Sequence, residues 1–291
     1  DSTPYPNPLG LTSLTSDAHA RAILNNATLK WDAQWLAQWH TTLTVGSSDE
    51  QSLSDYFRIA DGAWGGNSKF NTNRRQATWQ NDIALDQDVL SLAMENRSES
   101  VDSSTAYTVT SRDVRSALVS YAFNRASWNA LLVARNDDNS QFGNVNNWSA
   151  SGGVRLTDAL RAVASMGTSF QAPTFNQLYY PGYGNPALQP QRNRGSEVGL
   201  KYHASGLSLG AVVYHNDIQG FISPANNVQS ALAVLRGVTF SGEWAAGDSS
   251  YALSYDYADP RSYSSNPATN DQRLVRIARD VFNARVNHRL G

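Results

Sequence analysis

Side chains along this chain switch between apolar and polar with the two-residue period of a strand, not the roughly 3.6-residue period of a helix. In SYALSYDYAD, Tyr251, Leu253, Tyr255 and Tyr257 fall on one face, and Ala252, Ser254, Asp256 and Ala258 on the other. In LSLGAVVYHND, Leu207, Leu209, Ala211 and Val213 oppose Ser208, Gly210, Val212, Tyr214 and Asn216. In LRAVASMGTS, Leu160, Ala162, Ala164 and Met166 oppose Arg161, Val163, Ser165 and Gly167. In WDAQWLAQWHTTLTV, Trp35, Ala37, Trp39, Thr41, Leu43 and Val45 oppose Gln34, Leu36, Gln38, His40, Thr42 and Thr44. The stretch DAHARAILNNATLKWDAQWLAQW, taken alone, also fits a helix; its alternation from Asp32 onward and its strand-like surroundings favour a hairpin.

Thirteen strands are expected, near 18–29, 33–46, 72–85, 88–98, 107–122, 127–137, 145–156, 159–169, 195–203, 206–217, 234–245, 250–258 and 273–289. Short turns at Asp86-Gln87, Asn124 to Ala126, Thr157-Asp158, Ala204-Ser205 and Gly247-Asp248 take turns with long segments near 47–71, 99–106, 138–144, 170–194, 218–233 and 259–272. Short connections at one end and long ones at the other describe an antiparallel up-and-down transmembrane β-barrel, apolar toward lipid and polar toward a wet lumen. Excursions such as the aromatic stretch after Ala172-Pro173 then fall past the membrane edge, because backbone groups within lipid must pair inside the sheet. A soluble propeller or solenoid would show a fixed repeat length and a recurring motif, and neither is found. Single-chain bacterial barrels have an even strand number, so the odd count and both cut-looking ends describe part of a larger barrel.

Composition narrows the function. A formal net charge of -2 with no basic cluster gives no attraction to nucleic acid. The chain has no cysteine, hence no disulfide and no thiolate metal site, and no apolar run of the ~20 residues that a membrane helix needs. Thirteen Tyr, eight Trp and nine Phe beside two Met, with negative mean hydropathy, fit sheets with one wet face. His19, His40, His203, His215 and His288 are scattered, without a metal-binding or triad spacing, so no enzyme is expected. GGNSKF and GYGNP are turns, not phosphate loops, since neither joins a strand to a helix. Arg161 and Arg285 point to the lumen, in wall networks or along an anion pathway.

The segment from Ala134 to Tyr202 carries a family resemblance. RNDDNSQFG at Arg135 to Gly143, GTSFQAPTFNQLY at Gly167 to Tyr179, GNPALQP at Gly184 to Pro190 and SEVGLKY at Ser196 to Tyr202 resemble the barrel of TonB-dependent outer-membrane receptors, in particular their cobalamin branch. LRGVTFSGEW, Leu235 to Trp244, and RLVRIARDVFNARVNH, Arg273 to His288, are similar to later strands of that barrel. Thr239 and Gln191 depart from it, standing where the family usually has acidic residues. The resemblance implies that residues 1–291 form one partial barrel domain in a bacterial outer membrane, without the plug domain and the closing strands. It also implies a TonB partner acting through the missing plug region and uptake of a corrinoid such as cobalamin. A siderophore receptor is the alternative within the architecture; a passive porin is the alternative outside it.

Rigid aromatic faces and amides suit a polar ligand, which singles out Tyr179, Tyr180, Tyr183 and Asn185 in one long segment and Tyr56, Phe57 and Trp64 in the other; Tyr and Trp also suit a headgroup belt. The resemblance further implies calcium held by outward aspartates, here Asp49, Asp55 and Asp61, in a spacing that is not an EF-hand.

Overall fold

The alternating runs build one antiparallel sheet. The structure, a computed structural model, describes residues 16–58, 64–223, 227–264, 266–267 and 270–289. Among them are β1 (Ser16–Leu36), β2 (Trp39–Arg58), β3 (Trp64–Leu85), β4 (Asp88–Ser103), β5 (Ser111–Asn124), β6 (Trp128–Asn139) and β7 (Gly143–Arg155). They continue with β8 (Leu160–Gln171), β9 (Gln191–Ala204), β10 (Leu207–Gln219), β11 (Leu232–Ala246), β12 (Ser249–Tyr263), β13 (Gln272–Arg273) and β14 (Asp280–His288). Strands follow chain order from β1 to β13, and β14 shares the outer side of β12 with β13. No strand among the described residues joins β14 to β1, so the sheet is open.

Register sorts the side chains onto two faces. Trp31, Leu43, Trp79, Met94 and Ala117 stand opposite one another across five strands on the apolar face. The neighbouring row, Lys30, Thr44, Thr78, Glu95, Ser116 and Asp137, lies on the polar face. Charged groups pair there: Arg135 binds Glu95 at 2.9 Å and Asp137 at 2.8 Å, and Gln76 Nε2 donates to Glu95 at 2.7 Å. The apolar face stays uncovered, with Leu253 53% and Phe282 66% exposed. An apolar surface this extensive needs a partner solvent other than water.

Four expectations are corrected. The first turn falls at Ala37-Gln38, so the run 33–46 folds back on itself with Ala33 opposite Thr41. Neither turn residue is Gly, Pro, Asn or Asp, and the alternation crosses the turn unbroken. The segment 47–71 is not a loop, because β2 runs to Arg58 and β3 begins at Trp64. Backbone pairing continues there although both faces have become polar, which erases the alternation. Likewise β6 and β7 reach to Asn139 and Gly143, leaving 140–142 as their connection. The run 273–289 splits into β13 and β14, since Pro260 on β12 has no N–H for the ladder and can only accept, from Leu274 N at 3.0 Å.

Leu253→Arg on the apolar face of the full-length barrel is expected to cost about 2–4 kcal/mol, and Ser241→Arg on the polar face of the next strand close to nothing. Denaturant titration of refolding into lipid vesicles measures both.

Candidate functional site

At the end with long connections, four of them interlock. They are 104–110, 140–142, 172–190 and the described parts of 220–231. Pro173 ends the strand pairing of β8, and Thr174 opens a single helical turn, α1 (Phe175–Tyr179). Thr174 and Gln177 form a reciprocal capping box, satisfying two amides the short helix would leave orphaned. Gly184 then lets the chain turn back onto α1, where a Cβ would come within 2.6 Å of Tyr180 N.

A small apolar cluster of Leu178, Leu188 and Ile222, with Phe142 and Tyr179 against it, pins these connections together. Amides finish the joint. Asn227 Nδ2 donates to Gln177 O at 2.8 Å and Tyr183 O at 3.1 Å, and Gln229 Nε2 donates to Gln189 O at 2.6 Å and Gly220 O at 2.7 Å. Asn227 takes the left-handed conformation at φ 55°, which Asn tolerates better than most residues.

Beneath this cap an aromatic series climbs from the wall: Phe70 lies 5.9 Å from Tyr107, and Tyr107 meets Tyr180 edge-on at 6.3 Å. The Tyr107 hydroxyl donates to Asn176 Oδ1. Burial, and secondarily the Tyr180 phenol, hold the Tyr107 hydroxyl above its ordinary pKa, so it stays a neutral donor. Next to this series is a cavity of about 370 Å³ bordered by Glu50, Phe70, Arg74, Arg112, Phe175 and Asn176. Three guanidinium groups surround one carboxylate at its edge: Arg112 at 2.7 Å, Arg74 at 3.1 Å and Arg97 at 3.5 Å from Glu99. An aromatic wall, an amide and a cationic rim can hold a large ligand that mixes flat apolar surface with polar edges.

The expected contact residues divide. Tyr180 (45% exposed) and Tyr183 (47% exposed) are accessible at the surface of the cap. Tyr179 packs on the apolar cluster and accepts from Gln141, and Asn185 Oδ1 caps Ala187 N at 3.0 Å, so both build the cap. Phe57 of β2 meets His19 of β1 edge-on at 5.4 Å. Tyr56 and Trp64 are strand positions whose side chains lie outside the described part. Asp49 and Asp55 sit six residues apart on β2, about 20 Å along a strand. Asp49 accepts from Asn73, Asp61 lies outside the described residues, and among the described residues no three acidic or histidine side chains converge. Phe70, Tyr107 and Arg112 escaped the sequence reading; the Thr174–Gln177 capping box was its one available signal for the local fold.

The family model for the TonB dependent receptor-like β-barrel matches residues 2–291. The chain belongs to that family. Its barrels lie in the bacterial outer membrane, which makes the apolar face of this sheet the lipid face and the polar face the lumen wall. The chain is 29% identical over 260 residues to the vitamin B12 transporter BtuB of Vibrio vulnificus (strain YJ016), covering 84% of this chain and 40% of that one. Among solved structures it resembles the ferric enterobactin receptor PfeA of Pseudomonas aeruginosa (TM-score 0.74, 15% identity, 95% of this chain and 48% of that one). It also resembles the FrpB iron transporter of Neisseria meningitidis (TM-score 0.73, 12% identity, 94% and 50%). The chain thus spans half or less of the length of these proteins, and the structural likenesses speak for fold alone.

Leu178→Ala is expected to make opening of the cap easier by about 2–5 kcal/mol. Hydrogen exchange would accelerate across 175–188 and stay unchanged in the strand core of β9.

Proposed function

We propose that the complete protein takes up a corrinoid, cobalamin or a close relative, with TonB as the energising partner. The observation that carries this reading is the 29% identity to a vitamin B12 transporter across most of the chain, set against 12–15% to the two iron-related structures of similar shape. The geometry supports it. A corrinoid is broad and flat, with amide-bearing edges around an apolar ring, and Phe70, Tyr107 and Tyr180 offer aromatic surface at little rotamer cost while Asn176 supplies an amide. The cap binds from outside, and passage through the lumen needs rearrangement, not covalent chemistry.

A ferric siderophore receptor is the second reading, favoured by one feature: Arg74, Arg97 and Arg112 outnumber Glu99 and suit an anionic chelate.

Titration calorimetry of the full-length protein with cyanocobalamin, with and without calcium, separates the readings. Binding is expected below micromolar ligand, weakened about tenfold by Tyr180→Ala as for loss of a buried aromatic contact. Silence toward cyanocobalamin with binding of a ferric catecholate would establish the siderophore reading. Solute flux without saturable binding would establish a porin.

A further inference from the structure

We infer that Arg112 is a positioning residue, tying the 172–190 connection to the barrel wall and thereby fixing where Tyr180 stands. The inference builds on the proposed binding role of the cap. Arg112 is the second residue of β5, on the polar face, with a side chain only 9% exposed. A guanidinium donates from every N–H and accepts nothing, so burying it leaves each edge in need of an acceptor. One edge is used on the wall: Nη2 and Nε donate to Glu99 at 2.7 and 3.3 Å. The remaining nitrogen, Nη1, reaches the connection and donates to Pro173 O at 3.1 Å, while the Phe175 ring lies 5.2 Å from the guanidinium carbon.

Wall balance alone does not explain this placement. Glu99 already has Arg74 and Arg97 beside it, so a third cation is more than the carboxylate requires, and burying that cation is costly unless its hydrogen bonds are complete. The carbonyl of Pro173 gives the third nitrogen an acceptor, so that Nε, Nη1 and Nη2 each donate at least once. Conversely, Pro173 is fully buried and immediately precedes the Thr174 cap of α1, so the grip is applied where the chain leaves β8. Everything from there to Tyr180 is held in sequence: Asn176 by Tyr107, Leu178 by the apolar cluster, and Tyr180 N by Asn176 O at 3.3 Å. A shift at Pro173 therefore moves the Tyr107–Tyr180 pair. Lysine offers one nitrogen in place of three, so it cannot reproduce the planar fork in which Nε and Nη2 donate to Glu99 while Nη1 donates to Pro173 O.

Residues 1–291 contain no cysteine, so, with any cysteine elsewhere in the full-length receptor replaced by serine, a spin label can be placed at Ala187→Cys in the connection and, as control, at Asp158→Cys on the opposite turn. R112Q is expected to raise label mobility at 187, leave 158 unchanged and weaken cyanocobalamin binding about tenfold or more, the scale of one lost charge-assisted hydrogen bond. An unchanged spectrum at 187, equal loosening at both labels, or loosening at 187 with unaltered affinity would each overturn the inference. Should R112Q fail to insert, R112K keeps the charge beside Glu99 but loses the spanning fork, and a label at 187 as immobile as in the parent protein overturns the inference equally. If the parent protein ignores cyanocobalamin, the corrinoid reading falls on its own, and label mobility still decides whether Arg112 holds the connection.

Discussion

An amide inside hydrocarbon has no water to turn to, and this single fact organises the molecule. The strands from β2 to β12 answer it by pairing with their sequence neighbours, β1 pairs with β2, and pairing with neighbours forces the up-and-down order. Once the backbone is committed, side chains have only two directions left. The lipid side receives Trp31, Leu43, Trp79, Leu253 and Phe282, and the lumen side receives Glu95, Arg135 and Asp137, where charges find one another. Ionic groups on the lipid side concentrate beyond the apolar band, as at Arg236 and Asp259, 3.0 Å apart near the outward end of β11 and β12.

Irregular chain is confined to the ends by the same constraint, and there the problem reverses. With water available, nothing obliges the long connections to adopt one shape, and the absence of cysteine removes the usual staple for small exposed structures. The cap uses three devices instead: a minimal apolar cluster at Leu178, amide side chains of Asn227 and Gln229 that bond to backbone carbonyls, and the Arg112 tie to the wall. Such a joint has few buried apolar contacts and many polar ones, the profile of a region that opens locally without unfolding its scaffold. Under the proposed uptake role, a connection that admits and releases a bulky ligand would use this combination of definition and low local stability.

The wall was legible in the sequence because its physics is periodic. Tyr251, Leu253, Tyr255 and Tyr257 read as one face from alternation alone, and the register places them so. Legibility failed where the membrane stops imposing a difference between faces. Ser47 to Arg58 is still a strand, yet SSDEQSLSD shows no apolar face, since water lies on both sides beyond the hydrocarbon. The turn at Ala37-Gln38 was hidden for the opposite reason, an alternation that continues through it. In the site, Tyr180 was accessible to reasoning from composition. Tyr107 and Phe70 were not, because Tyr107 meets Tyr180 across more than seventy residues of chain and Phe70 joins them through Tyr107, relations no local window contains.

The pairing constraint also determines where ligand choice is encoded. Barrels at 12–15% identity share this wall, so the wall asks little of sequence beyond an apolar and a polar residue in alternation. A requirement satisfied so cheaply cannot discriminate a corrinoid from an iron chelate. On the proposed reading, discrimination falls to the few positions where the wall meets the cap: Phe70 on β3 against Tyr107, and Arg112 on β5 against Phe175, with Glu99 on β4 behind it. These wall residues are fixed by strands yet face a connection, so they inherit the stiffness of the barrel while shaping the surface that a ligand meets. Exchanging cap residues alone would leave that foundation in place, and a change of ligand should therefore require substitutions on both sides of the contact.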